Sequence, residues 1–358
     1  MSTRLKKLSS SLKKNNLDGI IVSHLPDIHY LSGFSGSAGT LFVTRKNAYL
    51  LTDGRYETQA AAQVNDGVEV LIDRAHYTRL KDEKLVRKGM TLGFQSQYVS
   101  VAQYEGMKRI FKKKVKLEAG GRLISELTAV KTEEEVGYIK RAANMAARVF
   151  RDVLEIVKPG MRENELAAEI SWLGRSHGSE GDAFGIIVAS GQRSALPHGR
   201  ASTKKLKSGE LITLDFGCIY KGFNSDMTRT FALGEPGDEA RKIYDIVYKA
   251  ERVGVEQARA GMSAKELDAV CRDIIEDAGY GEAFSHSTGH GLGIEVHEFP
   301  GISHRSPDEV KLREGMVVTI EPGIYLPGKF GVRIEDDVLI ENGGCRELTS
   351  ASRKLMVV

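Results

Sequence analysis

Short apolar runs and helical stripes alternate along the first third of the chain. GIIVS at residues 19–23 is followed by TLFVT at 40–44 and NAYLLTDGRY at 47–56, then by VEVLID at 68–73 and MTLGF at 90–94, with helical segments between them. This alternation over residues 1–125 predicts an α/β layer on a mainly parallel or mixed sheet. The texture changes at Leu127. There Thr132 and Glu135 form a capping-box pattern, apolar Val136, Ile139, Ala143 and Ala146 follow at helical spacing, and Pro159-Gly160 supplies a stop. Beyond it, predicted helices at 164–177, 238–259 and 263–278 are interleaved with extended, glycine-punctuated runs at 211–233 and 316–340. Residues 126–358 therefore read as an α+β domain preceded by a smaller α/β domain.

Within the extended runs stand four acids and one histidine: Asp215, Asp226, His290, Glu321 and Glu335. Each acid lies in or beside an apolar, β-like run, where a lone carboxylate costs several kcal/mol to desolvate unless it is paired, protonated or bound to a cation. The hairpin from LITLDFG to SDMTRTF can bring Asp215 and Asp226 side by side on one face, an arrangement that asks for a cation between them. The plainer alternative caps a loop with Asp226 and pairs Asp215 with Arg229. For Glu335, a salt bridge from Arg333 is the plain alternative, and it accounts for one acid of the four. His286, His290 and His297 are spaced by four and seven around glycines, which gathers imidazoles where the backbone approaches something closely. Oxygen ligands with a single imidazole suit two divalent first-row metals sharing bridging carboxylates, and such a pair can activate water at neutral pH.

Composition narrows the field without redirecting it. The 358 residues are 41% hydrophobic and 28% charged, and 51 basic against 48 acidic residues leave a net charge of +3. The nearest approach to a cationic block is Lys112, Lys113, Lys114 and Lys116 after Arg109, better read as a solvated helix end than as a nucleic-acid surface. No apolar stretch approaches 18 residues, and the basic amphipathic N-terminus has no apolar segment behind it, which argues against membrane insertion and secretion. Three cysteines, Cys218, Cys271 and Cys345, without metal-ligand spacing fit reduced thiols in a cytoplasmic protein.

The segments LPHG (196–199), LDFG (214–217), SDMTRT, HSTGHGLGIEVHE, EPGIY and GVRIED resemble the successive signatures of the proline-peptide metallopeptidases, the family of aminopeptidase P and prolidase. SGFSGSAGTLFVT and TDGRYETQA extend the resemblance into the N-terminal third. It implies a pita-bread catalytic domain at 126–358 with pseudo-twofold halves, and a creatinase/prolidase-like domain at 1–125. It also implies two divalent ions, expected to be Mn2+ with Co2+ or Zn2+ as substitutes. Asp215 resembles the bidentate ligand of one metal, Asp226 and Glu335 the bridging carboxylates, and His290 with Glu321 the ligands of the other. His198, His286 and His297 match imidazoles that bind substrate and stabilise the tetrahedral intermediate, Arg333 an arginine that orients a site carboxylate, and Glu321 a proton shuttle to the leaving nitrogen.

On this resemblance the expected activity is that of an Xaa-Pro aminopeptidase acting on short proline-containing peptides, with no nucleic-acid or membrane partner and a homodimeric assembly. A prolidase restricted to dipeptides is the near alternative. Methionine aminopeptidase fits the added N-terminal domain less well, and a creatinase-like hydrolase would lack the ligand set. A non-catalytic binding protein on the same fold characteristically loses ligands, and all five positions are filled here.

Overall fold

The computed structural model describes residues 2–112, 115–120 and 122–358. Lys113 and Lys114, placed above at a solvated helix end, lie outside the described residues. The chain divides into two compact units, one ending at Thr128 and the other beginning at Ala129.

In the first unit the basic N-terminal stripe is a helix, Thr3–Lys14, that buries Leu5, Leu8 and Leu12 and leaves its lysines in water. The apolar runs become strands: β1 Gly19–Val22, β2 Thr40–Thr44, β3 Ala48–Thr52, β4 Val68–Ile72, β5 Thr91–Phe94 and β6 Lys116–Ala119. They form one mixed sheet in the order β4-β3-β2-β1-β5-β6, with β1–β2 and β2–β3 antiparallel and the other pairs parallel.

The second unit holds β7 Ile187–Ser190, β8 Glu210–Phe216, β9 Ile219–Tyr220, β10 Phe223–Asn224, β11 Met227–Leu233, β12 Gly289–Gly291, β13 Glu298–Ile302, β14 Val317–Ile320, β15 Gly323–Leu326, β16 Phe330–Arg333, β17 Asp336–Glu341 and β18 Gly344–Glu347. Two antiparallel sheets, β11-β8-β7 and β13-β12-β14-β17-β18, each carry a pair of helices. Helices Glu133–Ile156 and Glu163–Ser176 bury Val149, Phe150, Leu166 and Ile170 against Ile212, Leu214 and Phe231 of the first sheet. Helices Asp238–Gln257 and Ala264–Asp277 bury Val255, Leu267 and Cys271 against Val318, Ile320, Val338 and Ile340 of the second. The first helix starts at the expected box: Thr132 accepts from the Glu135 N–H, and the Glu135 carboxylate accepts from the Thr132 N–H. Two helices on each antiparallel sheet make this unit the α+β domain that the sequence predicts. No helix among the described residues is long and apolar enough to cross a membrane.

Candidate metal centre

The five candidate ligands come from strand ends. Asp215 is the penultimate residue of β8, and the register sets it opposite Thr228 rather than Asp226. A two-stranded ribbon, β9 with β10, occupies the connection, so Asp226 directly precedes β11 and lies diagonal to Asp215 on the shared face. His290 is the middle residue of β12, Glu321 follows β14, and Glu335 bridges β16 and β17. All five line one cavity of about 340 Å³ together with His198, His286, His297, Arg333, Phe184, Ile187, Pro197 and Val296. Ligand atoms of Asp226, His290 and Glu335 lie within 4.8 Å of one another, and His290 Nε2 is 3.4 Å from Glu321 Oε1.

Left as carboxylates alone, this cluster is electrostatically unstable. Burial pushes the pKa of Asp226 well up and Glu335 and Asp215 push it further, while Glu335 is raised by burial and by its neighbours Glu321 and Asp215. Glu321 is carried up to about 8 by burial, a shift that Arg333 partly opposes. Cations would relieve that crowding. The donors also fit them: Asp215 Oδ1 and Asp226 Oδ1 are buried with no hydrogen-bond partner, although buried carboxylate oxygens are normally satisfied. Burial and His297 lower the pKa of His290 to about 4, so its imidazole is neutral. With Nδ1 3.1 Å from Gly291 O and donating to it, Nε2 presents its lone pair toward the acids.

A second layer holds these groups. Arg333 donates to Asp215 Oδ2 at 2.6 Å, to Tyr325 Oη at 2.8 Å, to Thr228 Oγ1 at 3.0 Å and to Pro197 O at 3.1 Å. Tyr325 Oη is in turn 2.8 Å from His286 Nε2, and His286 Nδ1 is 2.8 Å from Ser287 O, so both nitrogens of that ring are engaged. Tyr325 is thus a polar link behind the cavity wall. The apolar walls are Phe184, Ile187, Pro197 and Val296; Pro197 and Val296 lie inside LPHG and HSTGHGLGIEVHE, whereas neither a motif nor periodicity marks Phe184 and Ile187. His198 and His297 are exposed at the rim.

The plain alternatives resolve differently from their sequence form. Arg229 does not pair with Asp215; it meets Asp336 at 2.6 Å and donates to Glu335 O and Thr228 O, clamping the backbone between two candidate ligands. Glu335 takes its side-chain bond from Thr228 Oγ1 at 2.6 Å, because Arg333 is turned to Asp215. Thr228 carries no chemical mark of its own in the sequence, although it stands two residues past Asp226, the strand period that marks a shared face. Asp337, the last acid of IEDD, accepts the Asp226 N–H at 3.0 Å.

Two family descriptions cover this chain: Creatinase/Prolidase N-terminal domain over residues 4–130 and Metallopeptidase family M24 over residues 137–342. The chain belongs to metallopeptidase family M24. Its second unit is the pita-bread domain of that family, and the protein is an enzyme. An Xaa-Pro dipeptidase of Pyrococcus horikoshii is 38% identical over 360 residues, spanning 99% of each chain. Among solved structures, an Xaa-Pro dipeptidase from Bacillus anthracis matches with a TM-score of 0.93 at 39% identity, covering 99% of each chain. An X-Pro aminopeptidase from Thermotoga maritima matches with a TM-score of 0.91 at 36% identity, again over 99% of each. M24 membership accounts for a centre built from acids and one imidazole, since divalent ions are what such a donor set holds.

Proposed function

We propose that this M24 enzyme is an Xaa-Pro dipeptidase, a prolidase, using two divalent cations held by Asp215, Asp226, His290, Glu321 and Glu335. What carries the choice of dipeptidase over the aminopeptidase expected from sequence is end-to-end likeness to proteins of that name, over 99% of the Pyrococcus horikoshii and Bacillus anthracis chains. A cavity of about 340 Å³ agrees with a small substrate, standing near the lower end of ligand sites, which run from about 300 to 1,000 Å³. The likeness to the Thermotoga maritima aminopeptidase keeps longer Xaa-Pro peptides as the second reading.

Bound at these ligands, the cations would supply an activated water and polarise the scissile carbonyl. Mn2+ is the ion expected. The protein's own groups do the rest. The prolyl nitrogen carries no hydrogen in the peptide bond, so recognition falls to shape and to side chains rather than to an amide contact. Phe184, Ile187, Pro197 and Val296 offer the apolar walls. His198 and His297, exposed at the rim, can donate to oxygen atoms of the substrate and to charge developing on the carbonyl oxygen. Glu321, beside His290 in the cavity, is the group assigned to carry a proton to the departing nitrogen. Arg333 and Tyr325 fix Asp215 and the wall behind it.

The deciding experiment compares Ala-Pro, Ala-Pro-Ala and a longer Xaa-Pro peptide with Mn2+ supplied. Preference for Ala-Pro supports the dipeptidase; better cleavage of the longer substrates replaces it with the aminopeptidase. Absence of both bound metal and hydrolysis would leave a binding protein on this fold.

A further inference from the structure

One buried ion pair of the second unit plays no part in the chemistry above. Lys131 and Glu298 are 167 positions apart, yet Lys131 Nζ lies 2.7 Å from Glu298 Oε2, with side-chain exposures of 1% and 5%. Exchanging such a pair for apolar side chains is often neutral or stabilising, so stability alone is a poor reason for its presence. Its surroundings suggest another.

Lys131 is fixed at its own end: its N–H donates to Gly315 O at 2.7 Å, and Val130 bridges to Met316, just ahead of β14. Glu298, the first residue of β13, directly follows His297. Its second oxygen, Oε1, accepts the Glu295 N–H at 3.1 Å and closes a turn over residues 295–298 that contains His297. The preceding loop packs directly on the pair. A Cβ at Gly293 would fall 2.7 Å from Glu298 Oε1 and 2.8 Å from Lys131 Cε. On its other side Asn224 donates through Nδ2 to Gly293 O and Ile294 O. The loop is thereby held between Asn224 and the ion pair, with the His297 ring 4.2 Å from that of His290. Lys131 itself is absent from the cavity lining, so its ammonium does not meet substrate directly.

We infer that Lys131 is a positioning residue: through Glu298 it fixes the turn that presents His297 to the cavity. The kinetic consequence rests on the proline-peptidase reading, whereas the structural one stands apart from it. Lys131→Met should lower kcat for Ala-Pro about ten- to a hundredfold, the range for displacing a supported group by a fraction of its length, with bound Mn2+ per chain at the parent value. In a His297→Ala background the same change should cost less than about threefold, because the group it positions is gone. Equal losses in both backgrounds, or metal lost with Lys131→Met, would overturn the assignment.

A second measurement uses the metal-free protein. The ring signals of His297 in an NMR spectrum, identified by their absence in His297→Ala, should shift or broaden in Lys131→Met while those of His177, bound to Asp152, stay in place. Unmoved His297 signals overturn the proposal even if the chain hydrolyses no Xaa-Pro substrate; a wild-type chain without hydrolysis defeats the peptidase reading alone. Lys131→Met combined with Glu298→Leu leaves neither charge unpaired and should reproduce both effects, which keeps the test open if the single variant folds poorly.

Discussion

Arg333 Nη2 stands 2.6 Å from Asp215 Oδ2, joining the end of β16 to the end of β8 with both side chains largely out of water. The same guanidinium reaches Thr228, which donates to Glu335, so one side chain sets the spacing between two proposed ligands. Removing one partner of a buried pair leaves an uncompensated charge and typically costs about 3–5 kcal/mol. Arg333→Met should therefore lower the melting temperature sharply and weaken Mn2+ binding, measured by calorimetric titration. Arg333→Lys should recover part of the stability but little of the turnover, because an ammonium lacks the planar fork that reaches four acceptors. Wild-type turnover in Arg333→Lys would show that the fork is dispensable.

Glu335→Gln tests the crowding of the acids. The amide retains an oxygen for the Thr228 hydroxyl but removes one charge from a cluster that burial and mutual repulsion destabilise. Without metal the variant should melt above the parent; with Mn2+ it should gain far less, and activity should be lost. A variant that is less stable without metal, yet still stabilised by Mn2+ as the parent is, would contradict the ligand role.

His198→Ala and His297→Ala remove donors at the cavity rim and no proposed ligand. Metal content should stay at the parent value while turnover falls on the order of a hundredfold if a donor to the developing oxyanion is lost. Loss of metal from either variant would make that histidine part of the centre itself.

Much of the site is legible in the sequence because an acid inside an apolar strand needs an explanation, and Asp215, Asp226, Glu321 and Glu335 all pose that question. The cavity indeed gathers them with His290. What the sequence leaves hidden is pairing at long range. Arg229 and Arg333 stand beside different acids with equal plausibility until the strand register turns one toward Asp336 and the other toward Asp215. The walls Phe184 and Ile187 are ordinary apolar residues until folding places them. The glycines around His290 are partly legible. They do mark a close approach, but what approaches is neighbouring backbone: a Cβ on Gly289 would lie 2.0 Å from Thr319 O, and one on Gly291 2.5 Å from Phe299 O.

Stability without metal should depend on pH in a defined direction. Glu321 is raised from 4.5 to about 8, and Asp226, Glu335 and Asp337 are raised as well, in each case first by burial. An acid whose folded pKa exceeds its unfolded one contributes stability at low pH, and that contribution disappears as pH rises through the folded value. The metal-free protein should accordingly lose melting temperature between about pH 6.5 and 8; below 6.5 the buried His286 and His290, with pKa values lowered to about 4, add stability as pH rises and oppose the acids. Saturating Mn2+ should flatten that slope, so its stabilising effect grows with pH. A metal-free melting temperature that rises across the same window would show that these carboxyls are not crowded in the folded chain.

Gly289 has no room for a side chain. β12 is three residues long and carries His290 at its centre, and Gly289 faces the Thr319 carbonyl at a distance no side chain can share. Gly289→Ala must push β12 from β14, an overpacking that costs about 1–3 kcal/mol or more. The movement also displaces His290 N, which the Thr319 hydroxyl receives at 3.1 Å. Metal affinity should therefore fall together with stability. Gly344→Ala is the control, since nothing lies within 4 Å of the added methyl in β18, and a surface change of that kind usually stays within about 0.5 kcal/mol. Melting curves and Mn2+ titrations of the two variants separate a general intolerance of added bulk from a strand spacing on which the metal centre depends. If Gly289→Ala binds Mn2+ as the parent does, His290 does not need that spacing to reach the acids.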